Sequence, residues 1–204
     1  ESPVCREMDK SLVSVGPIEL SRIIEFPVKS VQDYKIIRYL YENTKKYEFQ
    51  TEELKQSIVQ VGEDGVVVLN GPGTPLMGLI LQHTGLERIV YDLSDHVEEV
   101  EKTMKIMAES NYQWYQQAAL TKVRVIRCSD DSDTALISPK IFKKYSVPVL
   151  KRYAQICHNQ GKFLMLHMCG HIRDFLPLLE ATNVDAIHCL CPPFTGNTPL
   201  KLAR

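Results

Sequence analysis

A histidine and a cysteine two positions apart, His167 and Cys169, close the apolar run Phe163-Leu164-Met165-Leu166. In an extended strand side chains alternate, so Phe163, Met165, His167 and Cys169 share one face and Leu164, Leu166 and Met168 the other. An imidazole and a thiolate at i and i+2 can reach one zinc ion, which takes nitrogen and sulfur ligands in tetrahedral geometry. The pair supplies only two ligands, and a cysteine is equally at home as a small buried hydrophobe beside a hydrogen-bonded histidine.

Other groups with chemistry lie at loop positions. Asp130, Asp131 and Asp133 crowd the loop after the run Val123–Cys128. Three carboxylates there can bind a cation, orient a substrate or move a proton, and they can equally form a solvated turn. Gly71-Pro72-Gly73-Thr74-Pro75 matches neither a dinucleotide fingerprint nor a P-loop and reads as a tight strand-to-helix turn. The six cysteines, at 5, 128, 157, 169, 189 and 191, contain no C-x-x-C pair. They read as the reduced thiols of a cytoplasmic protein.

These groups need a scaffold that brings strand ends together. Gly65–Asn70, Val123–Cys128, the run at Phe163 and Asp185–Cys191 read as strands, with Cys189 and Cys191 on one strand face. Helices are expected over Val31–Tyr41, Glu52–Val61, Leu76–Thr84 (capped by Thr74), from a D-x-x-E cap at Asp95–Glu98 to Ala119, from Ser138 to Gly161 with a break at Pro148, and over Ile172–Ala181. Residues 11–20 suggest a hairpin around Gly16-Pro17, and Pro199–Arg204 a new helix. Strands alternating with helices long enough for parallel crossovers define an α/β class, with the polar candidates on one rim. With 204 residues and 44% hydrophobic composition, one domain over 1–204 is the simplest organisation. That length is short for a (β/α)8 barrel of ~250 residues, and the chain reads as an internal portion of a longer protein. A net charge of −1 argues against a nucleic-acid binder, and no apolar run approaches a membrane span.

The run from Ile137 to Gly196 resembles the uroporphyrinogen decarboxylase family. The resembling residues are Ile137-Ser138-Pro139, Pro148-Val149-Leu150-Lys151-Arg152, His167-Met168-Cys169-Gly170, Leu176-Pro177-Leu178-Leu179, Asn183-Val184-Asp185-Ala186 and Pro192-Pro193-x-x-Gly196. Leu69–Pro75, Thr84-Gly85-Leu86 and the Ser129–Asp133 loop fit the same pattern, so the resemblance covers roughly residues 25–204. It implies that the last of these loops faces the substrate, with Asp130 and Asp131 as the candidate substrate contacts. It implies a (β/α)8 TIM-barrel fold and one of two activities. One branch decarboxylates porphyrinogens without a metal. The other, of methylcobalamin:coenzyme M methyltransferase type, carries H-x-C at a strand end as zinc ligands, which His167 and Cys169 match. On that branch the implied cofactors are zinc and a corrinoid carried by a partner protein, and the acceptor is a small thiol. The family's third zinc ligand, a downstream cysteine, has no counterpart at its position here; Cys191 and His171 are the nearby substitutes. A catalytically silent barrel portion is the third reading.

Overall fold

The structure, a computed structural model, describes residues 12–15, 20–23, 25–44, 47, 49 and 52–202. β1 (Leu12–Val15) and β2 (Leu20–Ile23) pair antiparallel, Leu12 opposite Ile23. That is the expected hairpin, although its Gly16-Pro17 turn lies outside the described residues. At the other end Leu200–Leu202 makes a 3-10 turn where a helix is expected, and residues 203–204 also lie outside.

Helix α1 (Tyr34–Glu42) is entered through a 3-10 turn, Val31–Asp33. The Asp33 carboxylate caps that turn, accepting from the Ser30 backbone N–H at 2.7 Å and the Ser30 hydroxyl at 2.9 Å. α2 (Glu52–Val61) buries none of its residues, as its charge predicts. The remaining chain alternates. β3 (Val68–Pro72) leads to α3 (Pro75–Gly78), which continues as a π-helical turn, Leu79–Thr84, into α4 (Leu86–Asp95) and α5 (Val97–Ala119). β4 (Val125–Ser129) is followed by α6 (Pro139–Ile141), a π turn over Phe142–Ser146 and α7 (Val147–His158). β5 (Phe163–His167), α8 (Leu176–Leu179) between 3-10 turns, and β6 (Ala186–His188) complete the series.

β3, β4, β5 and β6 form one parallel sheet in sequence order, with helices in each crossover. That is an arc of a (β/α)8 barrel, with strand ends and helix-entry loops on a common rim. Register places Pro72, Ser129, His167 and His188 side by side across the four strands, the top layer of the barrel's inner face. Below them lie Asn70, Arg127, Met165 and Ala186. The opposite face is the core. Ile126, Cys128, Leu164, Leu166 and Met168 are wholly buried there, as the alternation predicts for the β5 residues.

Tyr115 of α5 and Tyr153 of α7 stack with ring centroids 4.0 Å apart and hold the β3 loop from beneath. The Tyr115 hydroxyl donates to the Pro72 carbonyl at 2.7 Å, and the Tyr153 hydroxyl to the Gly73 carbonyl at 3.2 Å. Gly73 is required in turn, because a Cβ there would run into the Ser129 carbonyl of the neighbouring strand end.

Four sequence expectations are corrected. Asp95 ends α4 and caps nothing; one residue, His96, separates it from α5. Helix α4 itself was not expected. It is fixed by Asp92, which accepts from the Tyr34 hydroxyl at 2.8 Å and from Arg88 Nε at 2.6 Å. Thr74 makes no side-chain cap; its hydroxyl turns inward to Ser146 Oγ, 3.4 Å away. β6 stops at His188 because Cys189 takes a positive φ of 71°, so Cys189 and Cys191 do not share a strand face. The break at Pro148 and the Ser138 cap are observed: Ser138 Oγ accepts from the Ile141 N–H at 3.3 Å, and α7 begins at Val147.

One core histidine adds to the acid sensitivity of the fold. His83 is 6% exposed, its Nε2 meets the Tyr41 hydroxyl at 3.2 Å, and its Nδ1 is buried with no partner. Burial pushes its pKa down from 6.5 to about 4. The unfolded chain takes up this proton more readily, so stability present above pH 6.5 is lost as pH falls towards 4. A two-pH-unit descent through that window costs roughly 2–3 kcal/mol from this group. His83→Gln keeps a partner for Tyr41 and does not titrate. Urea unfolding at pH 7 and pH 4.5 is expected to show the variant losing less stability than the parent by about that amount; equal losses would show that His83 is not the buried base.

Candidate metal centre

The rim is built by two loops that lock together. After β4 the chain turns at Asp131, which adopts a left-handed φ of 55°. The N–H groups of Asp130 and Asp131 both donate to the His167 carbonyl, at 3.3 and 3.1 Å, so this turn is seated on the end of β5. After β5 the chain turns at Gly170, whose φ is 90° and whose absent Cβ would occupy the place of the Asp133 carboxylate. Asp133 accepts from the His171 N–H at 2.9 Å and the Ala135 N–H at 2.7 Å. Although burial opposes it, these donors and the His171 ring hold the Asp133 carboxyl below the usual carboxylate range.

The two aspartates singled out as substrate contacts have different positions. Asp130 is wholly buried, where it accepts from the Thr74 N–H at 2.8 Å and from the Ser132 hydroxyl. Burial pushes its carboxyl above the ordinary range, against those hydrogen bonds. Its task is to tie the β3 loop to the β4 loop. Asp131, by contrast, reaches the rim: its Oδ1 lies 2.9 Å from His167 Nε2 and 3.5 Å from Cys169 Sγ.

Asp131, His167 and Cys169 therefore converge, each offering a ligand atom within 4.8 Å of the others. One oxygen, one nitrogen and one sulfur make a donor set that suits zinc, with a further position open in a three-ligand site. Burial first, and the Asp131 carboxylate second, push the Cys169 thiol up to about 11; a cation bound beside it would favour the thiolate.

The other ring nitrogen of His167 is also engaged. Its Nδ1 lies 2.6 Å from Nδ1 of His188, the neighbour on β6. His188 and Cys189, neither of them a ligand candidate from the sequence, form with His167 a second group of ligand atoms within 4.8 Å. The nearby substitutes do not join either group. Cys191 turns its thiol to the Cys189 carbonyl at 3.1 Å, and the His171 ring sits 3.6 Å from Asp133.

A family model described as uroporphyrinogen decarboxylase (URO-D) matches residues 25–189. Among solved structures, a methyltransferase from Methanosarcina mazei is similar with a TM-score of 0.62 at 14% identity, over 92% of this chain and 62% of the other. This chain thus spans under two thirds of that protein's length, and at such identity the likeness is one of fold. No curated protein matches. No helix among the described residues is long and apolar enough to cross a membrane.

Proposed function

The chain belongs to the uroporphyrinogen decarboxylase family, and from that premise we propose that it serves zinc-dependent transfer of a methyl group from a corrinoid carried by a partner protein to a small thiol. The observation that carries this reading is the convergence of Asp131, His167 and Cys169 on the barrel rim. His167 and Cys169 would hold the zinc. Bound there, the ion would supply Lewis acidity that lowers the pKa of a substrate thiol and presents it as a thiolate.

The chain's own residues supply the rest. Asp131 sets its Oδ1 beside His167 Nε2 and the Cys169 thiol, where it would complete the donor set with an oxygen. Gly170 and the Asp133 clamp hold Cys169 at the strand end. The thiol acceptor approaches at the rim loops after β4 and β5, and the corrinoid protein docks over the strand ends, bringing the methyl group into line with the acceptor.

One observation favours the decarboxylase reading. Arg127, on the inner face one layer below His167, has a buried Nε with no hydrogen-bond partner, and an unpaired guanidinium invites a carboxylate. Zinc content separates the two readings. Chain purified without added metal is expected to carry near-stoichiometric zinc that drops in Cys169→Ala. Zinc absent from the parent, together with binding of a polycarboxylate tetrapyrrole, would replace the transferase reading with the decarboxylase one.

A further inference from the structure

The rim offers more ligand atoms than the proposed zinc site uses. We propose that His188 and Cys189, with Nδ1 of His167, form a second metal-ligating set that takes a zinc-like divalent cation. The inference rests on the proposed zinc reading only in treating the rim as metal-binding, and it adds ligands from a different strand.

Three observations carry it. First, the donor atoms of His167, His188 and Cys189 lie within 4.8 Å of one another, a nitrogen–nitrogen–sulfur set of the size that leaves zinc one open position. Second, two imidazoles meet Nδ1 to Nδ1 at 2.6 Å. Only one proton fits between them, and a cation accepts both lone pairs instead. With Zn–N bonds of ~2.0 Å, tetrahedral geometry needs the nitrogens ~3.3 Å apart, a small opening of rings that sit on adjacent strands. Third, Nε2 of His167 lies 2.9 Å from Asp131, whose carboxylate can accept its proton. That carboxylate–histidine pairing leaves Nδ1, the nitrogen facing His188, as the ligating atom.

The backbone is arranged for it. Register sets His167 opposite His188, and the His188 carbonyl accepts the Met168 N–H at 3.2 Å, pinning the two strand ends. The positive φ of Cys189 then turns the chain so that its thiol joins the pair, and Cys189 is exposed, so a cation has access. A neutral imidazole has one lone pair to give. His167 therefore serves either set through one tautomer or the other, and the two sets are alternative stations for one ion.

The test uses the full chain, stripped with a chelator and titrated with Co2+, which reports thiolate ligation by a near-ultraviolet charge-transfer band. Cys169→Ser is expected to keep a thiolate–cobalt band. Adding Cys189→Ser is expected to abolish it, and adding His188→Ala instead to weaken the Kd by roughly tenfold or more, with far-UV circular dichroism unchanged throughout. A band carried wholly by Cys169 would overturn this proposal and leave the zinc reading standing. No band even in the parent chain would overturn both. Double variants that bind cobalt as tightly as Cys169→Ser alone would also overturn this proposal.

Discussion

His167→Ala is expected to remove metal binding from the chain altogether. Both donor groups on the rim include this one imidazole, so among the described residues no alternative three-donor set survives its loss. Loss of a residue that merely orients a ligand costs 10–100-fold in affinity, and loss of the shared ligand itself is expected to exceed that range. Isothermal titration with zinc measures it directly. Cys169→Ala is expected to be milder wherever His188 and Cys189 remain, and the ordering of the two variants is the informative result. The fold is expected to be little changed. His167 sits at the end of β5, and its backbone carbonyl, which accepts from Asp130 and Asp131, is retained in the variant. If His167→Ala binds zinc as the parent does, the donors on the rim are not the metal site.

The asymmetry between what the sequence showed of this site and what it hid has a physical origin. His167 and Cys169 stand out because both lie in one short stretch, where strand periodicity alone puts them on one face. The α/β class was legible for the same reason, since each strand and most helices are local patterns; the barrel followed from the family resemblance. His188 is separated from His167 by a whole crossover. Only the pairing register of β5 with β6 sets the two side by side, and register across a parallel crossover is a tertiary property. Asp131 and Asp130 were indistinguishable as neighbours in an acidic loop. What separates them is the left-handed turn at Asp131, which sends one carboxylate to the rim and the other into the core. Helix α4 was missed although Leu86, Ile89 and Leu93 recur at helical spacing; the D-x-x-E pattern at Asp95 marks the start of α5 nearly correctly, and the segment before it carries no comparable start signal.

Asp130 carries the second large expected effect, and it connects stability to the site. Its carboxylate is the acceptor for two buried donors, the Thr74 N–H and the Ser132 hydroxyl, and these come from the β3 loop and from the β4 loop itself. Asp130→Ala leaves both donors without a partner in a place water does not reach. Each unsatisfied buried group costs ~1–3 kcal/mol, so a loss of roughly 2–5 kcal/mol is expected. At ~2–4 °C per kcal/mol for a chain of this size, the thermal midpoint is expected to fall by roughly 5–15 °C. Asp130→Asn keeps an acceptor oxygen and the volume, and sheds a charge that burial already disfavours, so it is expected to sit much closer to the parent. The same substitution to Ala frees the loop that presents Asp131 to His167, and zinc affinity is expected to fall along with stability although the Asp130 carboxylate bonds to Thr74 and Ser132 and not to His167 or Cys169. Were Asp130→Ala to melt with the parent, the two loops would be held by the strand ends alone, and the Asp131 position would have to be explained by its turn and by the His167 carbonyl that both N–H groups share.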